Sequence, residues 1–186
     1  NEALRLLTFE KKRYILMTAH RRENLGIPLA NICRSVLRLV QDHSDVEVIY
    51  PVHLNPAVRE TVFQIMGDEP RIHLIDPIDV EDMHNIMSKS YLVMTDSGGL
   101  QEEGPHFGIP VVVLRTETER PEAVEAGTVV VSGTEENAIY NTVSELLNDQ
   151  ERYSEMAHAV NPYGDGHASE RIVREILTWS KTQGLK

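Results

Sequence analysis

Short apolar runs alternate with segments of helical period along most of the chain, and that alternation fixes the fold class. Arg13-Tyr14-Ile15-Leu16-Met17-Thr18 reads as a strand. The stretch from Ile27 to Asp42 then places Leu29, Ile32, Cys33, Val36, Leu39 and Val40 on one helical face. Further strands are expected from Val46 to Tyr50, Arg71 to Ile75, Tyr91 to Met94, Val111 to Leu114 and Val129 to Val131. Helices are expected from Pro56 to Met66, with Asn55 as cap, and from Val80 to Ser88, with Asp79 as cap. Others follow from Gly98 to Phe107, Pro121 to Glu125, Glu135 to Leu147, Glu151 to Ala157 and Ala168 to Trp179. Strands that alternate with helices form parallel units, and uninterrupted apolar strands suit a sheet covered on both faces. The expected fold class is therefore α/β, a three-layer Rossmann-like parallel sheet. No repeat or linker divides the chain, and 186 residues suffice for one full core, so residues 1–186 read as a single domain.

Charge narrows the partners. A formal net charge of -11 argues against a general nucleic-acid or anionic-membrane surface, because either needs a basic face. It leaves room for a small anion held by a few local cations. No apolar stretch approaches the roughly 20 residues of a membrane span. The single cysteine, Cys33, excludes an internal disulfide and points to a reducing compartment, the cytoplasm. Cys33 itself reads as inert core. No histidine or cysteine spacing of a metal site occurs, and no metal or other cofactor is expected.

In an open parallel sheet, ligands bind beyond the carboxyl ends of the strands. His20, Arg21, Arg22 and Glu23 follow the first strand, His53 the second and Asp76-Pro77-Ile78 the third. Asp96-Ser97-Gly98-Gly99 follows the fourth, and Arg115 to Glu122 the fifth. Histidines, arginines, acids and a serine-glycine turn thus gather on one edge. Ser97, Gly98 and Gly99 can offer backbone N–H groups to a phosphate at a helix start. Arg120, with Arg115, can supply mobile positive charge. Glu102 or Glu103, one turn further in, can accept hydrogen bonds from a ribose diol, as acids do in dinucleotide sites. The plainer readings are an ordinary cap at the glycines, a solvated cluster at Arg21, Arg22 and Glu23, and a surface ion pair of Glu119 with Arg120. His73 and His84 fall inside elements and read as structural.

The stretches TAHRRENLG, YPVHLNP, TDSGGLQEEGPHFGIPVVVLRTETERPEAVEAGT and VSGTEE, in this order, resemble the non-hydrolysing UDP-N-acetylglucosamine 2-epimerases. The resemblance runs from about Tyr14 to the last helix and matches the C-terminal domain of that family. It implies the second half of a two-domain GT-B fold, with the N-terminal domain as a partner outside this chain. The implied activity interconverts UDP-GlcNAc and UDP-ManNAc by eliminating UDP and adding it back after the sugar has turned. By resemblance, Ser97, Gly98 and Gly99 hold the diphosphate, Glu103 holds the ribose and Arg120 lies on the phosphates. Glu102 is then structural, and His20 stands near the diphosphate and the reacting sugar as the catalytic candidate. Arg21, His53, Ile78 and Met83 are further candidates. Arg21 could serve the second, activating UDP-GlcNAc site that some bacterial members carry, and Met83 stands where an aromatic often flanks the uracil.

The competing readings are a UDP-sugar binding module without chemistry, half of a hydrolysing relative, and half of a GT-B glycosyltransferase. HRREN together with TERPE favours the epimerase over the last. The apolar face of the last helix, with Ile172, Val173, Ile176 and Leu177, is expected to pack on its own domain or, in a homodimer, on a second copy.

Overall fold

The structure, a computed structural model, describes residues 12–183. Positions 1–11 and 184–186, which the 1–186 domain reading includes, lie outside the described residues. Six strands form the sheet: β1 (Arg13–Thr18), β2 (Val46–Pro51), β3 (Ile72–Ile75), β4 (Leu92–Thr95), β5 (Val111–Val113) and β6 (Val129–Val131). Their order is β3-β2-β1-β4-β5-β6, and every neighbouring pair is parallel. The chain therefore starts in the middle, winds to one edge, returns beside β1 and winds to the other.

The helices are α1 (Ile27–Asp42), α2 (Pro56–Met66), α3 (Val80–Met87), α4 (Gly98–Glu103), α5 (Pro121–Glu125), α6 (Glu136–Asn148), α7 (Gln150–Ala157) and α8 (Ala168–Thr182). Alternate strand residues feed opposite faces of the sheet, as the period of two requires. Ile15, Met17, Val48, Leu92, Met94 and Val112 join one core with α1, α2, α6 and α7. Tyr14, Leu16, Ile49, Val93, Val111 and Val113 join the other with residues of α3, α4 and α5. Cys33 is fully buried in the first core, and burial pushes its thiol pKa up to about 12. Both expected caps form: Asn55 accepts from Ala57 N, and Asp79 from Asp82 N.

The helix expected from Gly98 to Phe107 breaks in two. α4 stops at Glu103, and Gly104–Phe107 continues as a single 3-10 turn. Pro105 has no N–H to extend the α-helical ladder, and Gly108, at φ 66°, ends the turn in the left-handed region. Gly104 is required by close approach, because a Cβ there would lie 2.5 Å from Val111 Cγ2. On α8, no described residue is buried, and Ile172, Val173, Ile176, Leu177 and Trp179 are all exposed. The expectation that this face packs on its own domain is not met among the described residues, which leave it uncovered.

Candidate functional site

The carboxyl ends of β1 and β4 lie flush, with Thr18 opposite Thr95 in the ladder. Their buried hydroxyls meet at 2.7 Å, and Thr95 Oγ1 also accepts from Ser97 N at 2.9 Å. From here β1 leads towards α1 on one face and β4 towards α4 on the other. A crevice opens where the winding reverses, the place where doubly wound sheets take ligands.

Asp96 follows β4 directly at this switch point. Its fully buried carboxylate turns back onto the loop after β1, where Oδ2 accepts from His20 N at 2.8 Å, Arg21 N at 2.8 Å and Asn24 Nδ2 at 3.0 Å. Asn24 Nδ2 also donates to Leu114 O at 3.1 Å, so three strand ends are tied together.

Two guanidinium groups converge above the glycine turn. Arg21 Nε donates to Asp96 O at 3.0 Å, and its Nη1 lies 3.8 Å from a Glu119 carboxylate oxygen. Arg120 is held from behind by Glu102, whose Oε1 accepts from Nε, and its Nη1 donates to Glu119 O at 3.1 Å. The hydrogen bond it donates to Glu102 pushes the Arg120 pKa further up, so this group is a cation at every working pH. A Cβ placed on Gly98 would sit 3.7 Å from Arg120 Nη2 and 3.8 Å from Arg21 Nη2. α4 has only six residues, so its end field is small.

Buried polar links set the turn against the arginine loop. Gln101 is fully buried; its Nε2 donates to Ser97 O at 3.1 Å and its Oε1 accepts from Thr118 Oγ1 at 2.6 Å. Thr118 Oγ1 accepts from Arg120 N at 3.0 Å. Ser97 stands at the cap position of α4, yet its hydroxyl makes no capping bond. Glu103 folds back towards the turn: a Cβ on Gly99 would lie 3.7 Å from Glu103 Oε1 and 3.9 Å from Ser97 Oγ. The other carboxylate oxygen, Oε2, lies 3.2 Å from His84 Nε2.

Beside this cluster the rings of His20 and His53 stack, with centroids 5.2 Å apart. His53 Nδ1 accepts from Asn55 N at 3.1 Å, which leaves Nε2 to carry the proton of the neutral ring. Ile78, Met83 and Tyr163 are partly buried and each packs against the second core. The Tyr163 hydroxyl is pushed up to about 12 by burial and then by the charges of Glu122 and Glu102.

Ser97, Gly98, Gly99, Glu103, Arg120 and Arg21 thus meet in one cluster, with the His20–His53 pair adjoining through the His20–Arg21 peptide. Two expectations are corrected. Arg115 is not mobile charge: it is 9% exposed and held by Glu23 at 2.6 Å and Glu119 at 3.5 Å. Glu119 pairs with Arg115 and Arg21, while Arg120 takes Glu102. His84, expected to be structural, lies with Nε2 3.2 Å from Glu103 Oε2. Asp96, Gln101 and Thr118 were not singled out from the sequence. Asp96 carried a local signal, standing directly between a strand and a serine-glycine turn; the other two did not.

Fold and site together define the class, a doubly wound α/β domain with two arginines over a glycine turn at the β1/β4 switch point. A sequence model of the UDP-N-acetylglucosamine 2-epimerase family matches residues 2–177, and the chain belongs to that family. It is 61% identical over 174 residues to a putative UDP-N-acetylglucosamine 2-epimerase of Thermotoga maritima, covering 94% of this chain and 46% of the relative. Against the UDP-N-acetylglucosamine 2-epimerase of Bacillus subtilis it is 54% identical over 165 residues, 89% of this chain and 43% of the relative. The S. aureus MnaA–UDP co-structure superposes with a TM-score of 0.91 at 50% identity, covering 97% of this chain and 49% of that one. The UDP-GlcNAc 2-epimerase from Neisseria meningitidis bound to UDP-GlcNAc gives 0.89 at 42% identity, with 95% and 47% covered. The chain therefore spans about half the length of the relatives it matches. A C-terminal domain of a glycosyl transferase from Francisella tularensis shares the fold at 15% identity and a TM-score of 0.62.

Proposed function

We propose that this chain is the UDP-holding half of a two-domain UDP-GlcNAc 2-epimerase, with residues 1–186 as one UDP-binding domain. The observation that carries the reading is the convergence of Arg21 and Arg120 on the space above Gly98, with Glu103 one turn behind. Two cations over a glycine suit a diphosphate, because no side chain keeps the phosphate from the backbone and each guanidinium can donate two bonds. The carboxylate of Glu103 would repel a phosphate, so it is assigned instead to the ribose diol, which can donate to it. Relatives with bound UDP or UDP-GlcNAc support this choice of ligand.

The chemistry assigned to this half is stabilisation of the leaving group. When the C1–O bond of UDP-GlcNAc breaks and the C2 proton departs, the products are UDP and a 2-acetamidoglucal. Negative charge grows on the diphosphate, where preformed cations lower the barrier without reorganising. Re-addition of UDP with a proton to the opposite face of C2 gives UDP-ManNAc. His20, anchored by its backbone N–H to Asp96, stands at the edge of this cluster as the proton-handling candidate. Ile78 and Met83 are assigned to the flank of the uracil. The cytoplasm is the assigned compartment.

The test is the full-length protein incubated with UDP-GlcNAc in deuterated water and followed by proton NMR. UDP-ManNAc carrying deuterium at C2 is the expected product. Free N-acetylmannosamine with UDP would move the protein to the hydrolysing class, and no change in the sugar would leave a binding module.

A further inference from the structure

We infer that His84 is a positioning residue for ribose recognition, holding the Glu103 carboxylate in its ligand-accepting orientation. This rests on the reading of Glu103 as the acceptor of the ribose diol. A glutamate side chain has three rotatable torsions, so an acceptor that must meet two hydroxyls at once loses affinity unless it is fixed beforehand. In this structure the two carboxylate oxygens are divided. Oε2 lies 3.2 Å from His84 Nε2, and Oε1 faces the glycine turn, 3.7 Å from where a Gly99 Cβ would be. One oxygen is tethered and the other is presented.

The tether is itself braced. His84 sits on α3, an element capped by Asp79. Its ring lies beside Phe107, with centroids 6.0 Å apart and the planes tilted by 53°. Phe107 belongs to the 3-10 turn that directly follows α4, so the ring touches both the Glu103 carboxylate and the segment that follows Glu103's own helix. A half-exposed His–Glu contact adds little to stability. Its effect is orientation, and it belongs on the ligand.

The test compares UDP with 2′,3′-dideoxy-UDP, titrated calorimetrically into the full-length protein. The readout is the affinity ratio of the two nucleotides, which isolates the diol from the phosphates and the base. His84→Phe keeps a ring against Phe107 and removes the donor; the ratio is expected to shrink about three- to tenfold, the effect of one lost hydrogen bond. His84→Gln places an amide N–H near the position of Nε2 and is expected to restore most of the ratio. Glu103→Ala should shrink the ratio at least as much as His84→Phe. Equal weakening of both nucleotides by His84→Phe assigns His84 to structure alone and overturns the inference, as does a His84→Gln variant that restores nothing. A ratio that falls in Glu103→Ala but holds in His84→Phe overturns the inference and leaves the Glu103 reading intact. A ratio unchanged in both removes the Glu103 reading as well.

Discussion

The guanidinium of Arg21 is anchored to the main chain of Asp96, with Nε 3.0 Å from the Asp96 carbonyl oxygen. Asp96 returns the contact, accepting from Arg21 N through its side chain at 2.8 Å. The loop after β1 and the turn after β4 are thereby locked across the switch point, and a cation of one is aimed over the glycines of the other.

Removal of the lock should cost stability before it costs ligand. Asp96→Ala leaves the N–H groups of His20 and Arg21 and the Asn24 amide without their acceptor in a buried setting. The expected loss is about 2–4 kcal/mol, from several unsatisfied donors and a small cavity. Asp96→Asn keeps one oxygen for the three donors and is expected to lose less than half as much. Urea unfolding reads this as a lower midpoint at unchanged m-value.

Gly98→Ala should separate stability from binding. The three atoms nearest the new methyl group are guanidinium atoms at ordinary contact distance, and replacing a glycine of unstrained backbone stabilises by about 0.4–1 kcal/mol. The same methyl occupies the space between Arg21 and Arg120 assigned to the diphosphate. The expectation is an unchanged or raised Tm with UDP affinity down by about tenfold or more, as for loss of a charge-assisted hydrogen bond. Unimpaired UDP affinity would place the diphosphate elsewhere.

Much of this architecture was legible in the sequence. The apolar runs were continuous enough to mark the strands, and Asn55 and Asp79 announced two helix starts that the side chains indeed cap. The gathering of His20, Arg21, Ser97, Gly98, Gly99 and Arg120 followed from strand polarity alone, because a parallel sheet sends every carboxyl end to one edge. The partners of those residues were not legible. Asp96 meets Asn24 across 72 positions and Arg115 meets Glu23 across 92, contacts that no local spacing encodes. His84 read as structural because it lies mid-helix; its contact with Glu103, 19 positions on, was not visible in the sequence. The break at Gly104 was readable from Pro105, but the close approach of Val111 was not.

Alkaline pH should weaken the fold. Burial raises the Cys33 thiol to about 12 and raises the Tyr50 hydroxyl above its ordinary value. Between the unfolded pKa values, near 8.5 and 10, and the folded ones, the unfolded chain has released protons that the folded chain retains. Stability is then fully present below about pH 8 and falls as pH rises through that window, by at most about 1.4 kcal/mol per pH unit for each group. The same burial makes Cys33 inert: a thiol reagent at mildly alkaline pH should label it only after unfolding. Rapid labelling of the folded protein would contradict the placement of Cys33 in the α1 core.

Arg21→Lys should not be conservative. A lysine ammonium cannot hold the Asp96 carbonyl through one nitrogen while presenting another to the space above Gly98. UDP affinity is expected to fall about three- to thirtyfold, from one charge-assisted bond lost or misplaced, and the unfolding midpoint should change little.

The most direct measurement of the central claim is a calorimetric titration of the full-length protein with UDP, beside the Arg120→Ala and Glu103→Ala variants. Removing a charge-assisted contact of either residue should weaken binding by about 1.5–3 kcal/mol, roughly 10- to 100-fold. Both variants should remain folded, since each side chain is partly exposed and at the rim of the crevice. UDP binding of undiminished affinity in both variants would contradict the assignment of this crevice to the nucleotide.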